Sequence, residues 1–153
     1  MRSSLKNPPA AVEKVDTSYL ETLIGYNARR AALAVIADFV EKMAVYNLSP
    51  VDFSVMSVIV HNPGVTSRQL CAALNILPPN LVGLIQVLEA RGLIERQPHP
   101  HDGRAVGLHP TEQGIDLMKE AEATASELEK KVGGKLTPNQ TQTLVTLLQK
   151  IYL

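Results

Sequence analysis

The chain has 153 residues, of which 45% are hydrophobic and 20% charged, and this composition indicates a folded domain with a buried core. Its 15 basic and 15 acidic residues cancel, which excludes a histone-like or polybasic protein. The single cysteine, Cys71, excludes an intrachain disulfide, and no apolar run of about 18 residues could span a membrane, so we expect a cytoplasmic protein without a membrane partner.

The first segments are an arm and a long helix. Residues 1–16 show no hydrophobic periodicity and no apolar core of signal-peptide length, and they predict a flexible N-terminal arm. Ser18 and Glu21 have the spacing of a capping box, which begins a helix. Apolar residues then recur at steps of three and four as far as Phe39. Because no strong breaker precedes Asn47, one amphipathic helix is predicted over residues 19–46.

Three shorter helices are predicted between residues 49 and 92. Ser49 and Pro50 begin the first, as an N-cap and a proline at the first helical position. A second capping box, residues 66–69, begins the next, and Asn75 suits its left-handed C-cap. Residues 78–80 begin the third, and Gly92 ends it.

The rest of the chain predicts a ribbon and two helices. Residues 93–97 and 105–109 are short extended segments, separated by a polar loop longer than a tight hairpin needs. Residues 111–112 begin a long helix that Gly133 and Gly134 end. A third capping box, residues 137–140, begins a helix that runs to the chain end.

This order of elements predicts a mainly α fold with a small β-wing (α+β), a winged helix-turn-helix. Residues 17–153 form one domain, in which dimerisation helices at 17–47 and 112–153 flank the winged helix-turn-helix at 49–110. The second short helix is narrow enough to enter the major groove of DNA, and the ribbon tip can reach the adjacent minor groove.

At this point the sequence resembles the MarR (multiple antibiotic resistance regulator) family, over almost all of the chain after Ser18. The resemblance depends on the order and spacing of several motifs: Leu48-Ser49-Pro50 with Phe53, Asn62-Pro63-Gly64-Val65-Thr66 before Gln69-Leu70, Leu88-Glu89-Ala90-Arg91-Gly92-Leu93-Ile94-Glu95-Arg96, Asp102-Gly103-Arg104, and Leu108-His109-Pro110-Thr111-Glu112-Gln113-Gly114. It implies a homodimer that binds double-stranded DNA and responds to a ligand.

Arg104 is the first candidate for DNA contact. An arginine at the ribbon tip can enter the narrow, electronegative minor groove. Asp102 could hold that guanidinium by a bidentate pair. The alternative is a solvated surface ion pair of little energetic value. The resemblance favours the functional interpretation, because the family uses this Asp-x-Arg pattern for DNA.

The predicted recognition helix carries further candidates on the face opposite its leucine stripe. These are Pro79, Asn80, Val82, Gly83 and Gln86. The amides can read adenine, and Val82 could touch a thymine methyl. The family often carries Thr and Arg near positions 82 and 83, so this almost uncharged helix should depend more on the wing and on DNA shape. Alternatively, Pro79 and Gly83 only permit a close helix contact within the protein.

Other cations could contact the DNA backbone. Ser67 and Arg68 open the preceding helix and could bind a phosphate together with free N–H groups, although Arg68 also suits an ordinary solvated position. Arg91 and Arg96 flank the wing and could add backbone contacts, or they could pair with nearby glutamates at 89 and 95.

A dimer and an effector pocket are also predicted. The first and last helices carry more apolar surface than one winged helix can cover, so a second copy should bury it. The crevice between dimer helices and the DNA-binding lobe is a natural ligand pocket. Tyr26, Arg30, Tyr46 and His61 could line it and would suit an anionic aromatic compound. They could equally be ordinary boundary residues with solvated tips.

Metal and enzyme chemistry find little support. His99 and His101 lack a third convergent ligand, so we expect no metal site. No phosphate loop, nucleophile elbow or helical metal-ligand pair is present, so we expect neither an enzyme nor a cofactor. The leading hypothesis is a ligand-responsive, homodimeric repressor that binds a near-palindromic operator. The alternative is a winged-helix protein–protein interaction module without DNA binding.

Overall fold

A computed structural model describes residues 13–153, so most of the predicted arm at residues 1–16 lies outside the described residues. The helices are α1 (Ser18–Glu21), α2 (Ile24–Met43), α3 (Pro50–His61), α4 (Ser67–Leu74), α5 (Pro78–Ala90), α6 (Glu112–Val132) and α7 (Pro138–Tyr152), with 3-10 turns at Ala44–Tyr46 and Gly133–Lys135. The strands are β1 (Val65–Thr66), β2 (Ile94–His99) and β3 (Asp102–Pro110). The chain forms two compact units, one ending at Ala34 and the other running from Val35 to Leu153.

The single long helix predicted over residues 19–46 is wrong, because the chain breaks between α1 and α2. The Thr22 hydroxyl donates to the Tyr19 carbonyl at 2.7 Å, and the Asn27 amide donates to the carbonyls of Glu21 and Leu23, each at 2.8 Å. A continuous helix would bond the carbonyls of Tyr19 and Glu21 through the backbone N–H groups four residues later, whereas here these side chains donate to them. The predicted cap is also displaced, since the N-cap of α1 is Thr17 and makes no side-chain cap bond.

The other predicted helix starts are confirmed. Ser49 and Asp52 form a reciprocal capping box at α3, in which the Ser49 hydroxyl accepts the Asp52 N–H at 3.2 Å. The capping boxes predicted at residues 66–69 and 137–140 are formed at α4 and α7. Asn75 ends α4 with a φ of 51° in the left-handed region, as predicted.

The sheet is larger than predicted. A third strand, β1, pairs with β3, so the order is β1-β3-β2 and both pairings are antiparallel. The two ribbon strands run to His99 and from Asp102, which leaves a two-residue turn where a long loop is predicted. A Cβ at Gly107 would lie 3.0 Å from the carbonyl oxygen of Gly64, so a side chain there would press on the backbone just before β1.

An aliphatic core lies between α3, α4, α5, α6 and the sheet. Its largest fully buried side chains are Met43, Met56, Ile59, Leu70, Leu81, Ile85, Leu88, Leu93, Leu108, Met118 and Val55. Cys71 packs against this core and is partly buried. Because three of the core side chains come from α5, the core fixes which face of that helix is exposed.

No single helix in residues 13–153 has both the length and the apolar composition to cross a membrane, and two bent helix pairs pass that test only when taken together.

Candidate nucleic-acid interface

Helix α5 presents the predicted contact residues on its exposed face. It begins with prolines at its first two positions, and Leu81, Ile85 and Leu88 turn one side into the core. The residues predicted to touch DNA are all exposed: Pro79, Asn80, Val82 and Gln86. The only charged residue in α5 is Glu89. The exposed face of this helix therefore offers amide and apolar groups but no cation.

Helix α4 places its own candidates at its N-terminus. Ser67 and Arg68 follow the capped Thr66 and are exposed. Thr66 and Gln69 satisfy each other at the helix start, which fixes the direction of the first turn. The arrangement leaves the Arg68 guanidinium facing solvent.

Arg104 is the third residue of β3, close to the ribbon turn, and its side chain is exposed. The predicted bidentate pair with Asp102 is wrong. Asp102 instead accepts the backbone N–H of Arg104 at 3.0 Å, and no ion pair to Arg104 occurs among the residues the structure describes. An aspartate reaches the N–H two residues ahead easily because its side chain is short. The carboxylate therefore shapes the turn and leaves the guanidinium free.

Arg96 is engaged within the protein. Its Nε and Nη2 donate to the two carboxylate oxygens of Glu89 at 2.8 and 2.9 Å, a fork that holds β2 against α5. This hydrogen bonding lowers the pKa of Glu89 and raises the pKa of Arg96. Of the two alternatives that the sequence leaves open, the structure shows the glutamate pair, and a DNA contact by Arg96 stays a prediction.

Arg91 makes contacts that the sequence analysis missed. It is the C-cap residue of α5, and its Nη1 and Nη2 donate to the carbonyls of Asn47 and Tyr46 at 2.7 and 2.9 Å. Those carbonyls belong to the end of the 3-10 turn after α2, where Asn47 is left-handed with a φ of 50°. The left-handed asparagine marks a helix end with free carbonyls, but only the tertiary structure shows which cation reaches them.

The predicted effector residues divide between the two units. Tyr26, half-buried, and Arg30, exposed, lie in the unit that ends at Ala34. In the other unit both predicted residues bond to α6. The Tyr46 hydroxyl shares a 2.7 Å hydrogen bond with the Thr124 hydroxyl, and His61 Nε2 lies 2.9 Å from a Glu122 carboxylate oxygen.

The partners of His61 are not evident from the amino-acid sequence. The same Glu122 oxygen accepts the Ser57 hydroxyl at 2.9 Å, so Ser57, His61 and Glu122 form one polar cluster between α3 and α6. Within residues 13–153, no group of three or more His, Cys, Asp or Glu residues is placed to hold a metal ion.

Three comparisons with known proteins agree with this geometry. A model of the MarR family matches residues 46–105. The transcriptional repressor CouR bound to a 23-mer DNA duplex is 31% identical, with a TM-score of 0.85, and the match covers 92% of this chain and 99% of that one. CouR bound to p-coumaroyl-CoA is also 31% identical, with a TM-score of 0.80 and coverage of 90% and 97%.

A sequence relative from Thauera aromatica, named as a transcriptional regulatory protein for the hcr operon, is 26% identical over 130 residues, which are 84% of this chain and 78% of that protein. The neighbours confirm the predicted winged helix-turn-helix fold. These relatives are named as regulators of transcription, and the match to CouR spans nearly the full length of both chains. The chain therefore belongs to the MarR family.

Proposed function

We propose that this chain is a DNA-binding transcriptional repressor, which acts as a homodimer on a near-palindromic operator and is released by a small-molecule effector. The observation that carries the proposal is that two exposed features belong to elements packed on the same core. They are the solvent-facing Arg104 on the wing and the outer face of α5. That combination suits a ribbon tip in the minor groove beside a helix in the major groove. A regulatory rather than catalytic role agrees with the names of the relatives.

The terminal helix supports a dimer. No residue of α7 is buried, although the helix carries a large apolar face. The exposed apolar residues at this end of the chain are Leu144, Val145, Leu147, Leu148, Ile151, Tyr152 and Leu153. A second copy related by a two-fold axis would cover such a face and would set two α5 helices about one helical turn of DNA apart.

The charge of the DNA-binding segment predicts a modest salt dependence. Residues 46–111 contain four arginines, four acidic residues and no lysine. Arg91 and Arg96 are engaged within the protein, which leaves Arg68 and Arg104 to neutralise phosphates. Each neutralised phosphate contributes about 0.9 to the slope of log affinity against log salt, so a dimer that uses both arginines twice should show a slope of about −3.6.

For the effector we propose an anionic aromatic compound, such as a free aromatic acid or its coenzyme A thioester. The ligand of the similar repressor CouR, p-coumaroyl-CoA, has that chemistry. Tyr46 and His61, both on the larger unit, are the residues proposed to contact it. Release of DNA requires that the effector prefer a conformation that fits the operator badly. A thermal-shift screen of aromatic acids and p-coumaroyl-CoA tests this, since binding to the folded state raises the melting temperature.

The function itself is tested by anisotropy titration of DNA from upstream of the chain's own gene, over a series of salt concentrations. Wild type should bind with the slope given above, and Arg104→Ala should flatten it to about −1.8, because each dimer then neutralises two fewer phosphates. Lys119→Ala, an exposed cation on α6 outside the DNA-binding segment, should leave the slope unchanged. Absence of saturable binding to this DNA at low salt would refute the proposal and favour a protein-interaction module.

A further inference from the structure

Helix α5 contains a glycine that the chain itself does not need. Gly83 lies in the interior of the helix, where glycine is less favourable than alanine. Its φ is not positive, and a Cβ built on it meets no atom within 4 Å. Gly114 differs, because its Cβ would collide with the carbonyl group of Leu93. The alternative that Gly83 permits a close contact within the protein is therefore wrong for the residues that the structure describes.

The neighbours of Gly83 define one flat, uncharged surface. Residues three and four positions away share its side of the helix, and these include Pro79 and Gln86, both exposed. Val82 borders the same surface and is 55% exposed. The opposite side, with Leu81 and Ile85, is buried in the core. Alanine at residue 83 would place a methyl group in the middle of this surface. With glycine there, a planar group can approach the helix backbone more closely.

The chemistry of this surface selects among base pairs. Guanine is commonly read by a bidentate arginine or lysine on its O6 and N7, and α5 has neither. An exposed glutamine can read adenine through N6 and N7, and an exposed valine can contact the C5-methyl of thymine. The surface therefore offers partners for both members of an A·T pair and no cation for the guanine of a G·C pair.

We propose that Gly83 marks the closest approach of an A·T base pair to α5, with Gln86 on the adenine and Val82 against the thymine methyl. This inference rests on the proposed function, because it requires α5 to enter the major groove. It adds a specificity determinant, since the missing Cβ at residue 83 lets the helix lie close enough for the short side chain of Val82, as well as the Gln86 amide, to reach the base edges.

The test begins with selection of duplexes from a random 30-base-pair library by the wild-type dimer. The selected duplex is then titrated with wild type, Gly83→Ala and Gly25→Ala. Gly25 is the control for binding, since it lies in the first turn of helix α2, outside the DNA-binding segment, and a Cβ there also meets no atom within 4 Å. Gly83→Ala should raise the melting temperature by roughly 2–4 °C, because alanine favours a helix interior. Only Gly83→Ala should weaken binding, by about tenfold, the cost of one mismatched base pair.

A second measurement addresses the base pair. The selected half-sites should contain A·T pairs where α5 docks. Replacement of their thymines by deoxyuridine should weaken wild-type binding by about fourfold for each thymine methyl that packs against the protein. Unchanged affinity of Gly83→Ala, half-sites with G·C pairs where α5 docks, or binding that does not change on deoxyuridine replacement would each overturn the inference while leaving the repressor function intact. Failure of the wild type to select any duplex would overturn both.

Discussion

Replacement of Arg91 by alanine should destabilise the protein although the side chain is only partly buried. Arg91 donates two hydrogen bonds, of 2.7 and 2.9 Å, to carbonyls at the end of the 3-10 turn that follows α2. A hydrogen bond to a charged group contributes about 1.5–3 kcal/mol. Water can reach this site and would form hydrogen bonds to the two carbonyls in the variant. We therefore assign a value near the lower end of this range to the two bonds together. The expected loss is about 2 kcal/mol in the free energy of unfolding.

Urea denaturation followed by far-UV circular dichroism measures this loss. Protein concentration must be held constant, because the stability of a dimer depends on it. Arg91→Lys should recover only part of the stability, since an ammonium group lacks the planar fork that reaches two carbonyls at once. Arg68→Ala is the matched control, an exposed arginine at the start of α4 that should change stability by no more than about 0.5 kcal/mol.

A loss in the free energy of unfolding that is no larger for Arg91→Ala than for Arg68→Ala would refute this prediction. Water would then satisfy the carbonyls of Tyr46 and Asn47 as well as the guanidinium does. A loss of about 2 kcal/mol with an unchanged dependence on urea would instead confirm that the clamp between α5 and the end of α2 stabilises a native state of the same compactness.

Two further predictions concern the β2–α5 ion pair and the terminal helix. The pKa of Glu89 is lowered by Arg96, so the pair stabilises the fold above the ordinary glutamate pKa of 4.5 and loses this effect as pH falls below it. Arg96→Met should therefore be less stable than wild type at pH 7, by less than about 1 kcal/mol because the pair is partly exposed, and urea titrations should show this deficit shrinking as pH falls below 4.5. A deficit that does not change with pH would contradict the ion pair. Leu147 is 54% exposed on α7, so Leu147→Lys should shift the molar mass measured by light scattering toward that of the monomer. Val51→Lys, at an exposed position on α3, should leave the molar mass unchanged. A dimer that persists in Leu147→Lys would exclude this interface.

Much of the fold could be predicted because its signals are local. Each of the capping boxes at α4 and α7 is a contact between residues three apart, so spacing in the sequence is enough to show it. The exposed face of α5 follows from the period of its leucines in the same way. The order and spacing of the motifs between residues 48 and 114 indicate the family resemblance, which the matches to known proteins confirm.

Other features could not be predicted, because they join distant parts of the chain or depend on which side chain hydrogen-bonds a given backbone carbonyl. The short strand β1 exists only because β3, some forty residues later, pairs with it. The break between α1 and α2 arises where threonine and asparagine side chains compete for carbonyls that an apolar period assigns to a helix.

The sequence by itself determined the order of the elements, most helix starts and the absence of cations from α5, because each depends on neighbouring residues. Only the tertiary structure decided which arginines are free to meet DNA. Arg91 and Arg96 bind partners within the protein, whereas Arg104 faces solvent, although all three look alike in the sequence. The physical reason is that a guanidinium bonds to whichever oxygen the packed core brings within about 3 Å, and the packing of the core is a property of the whole chain.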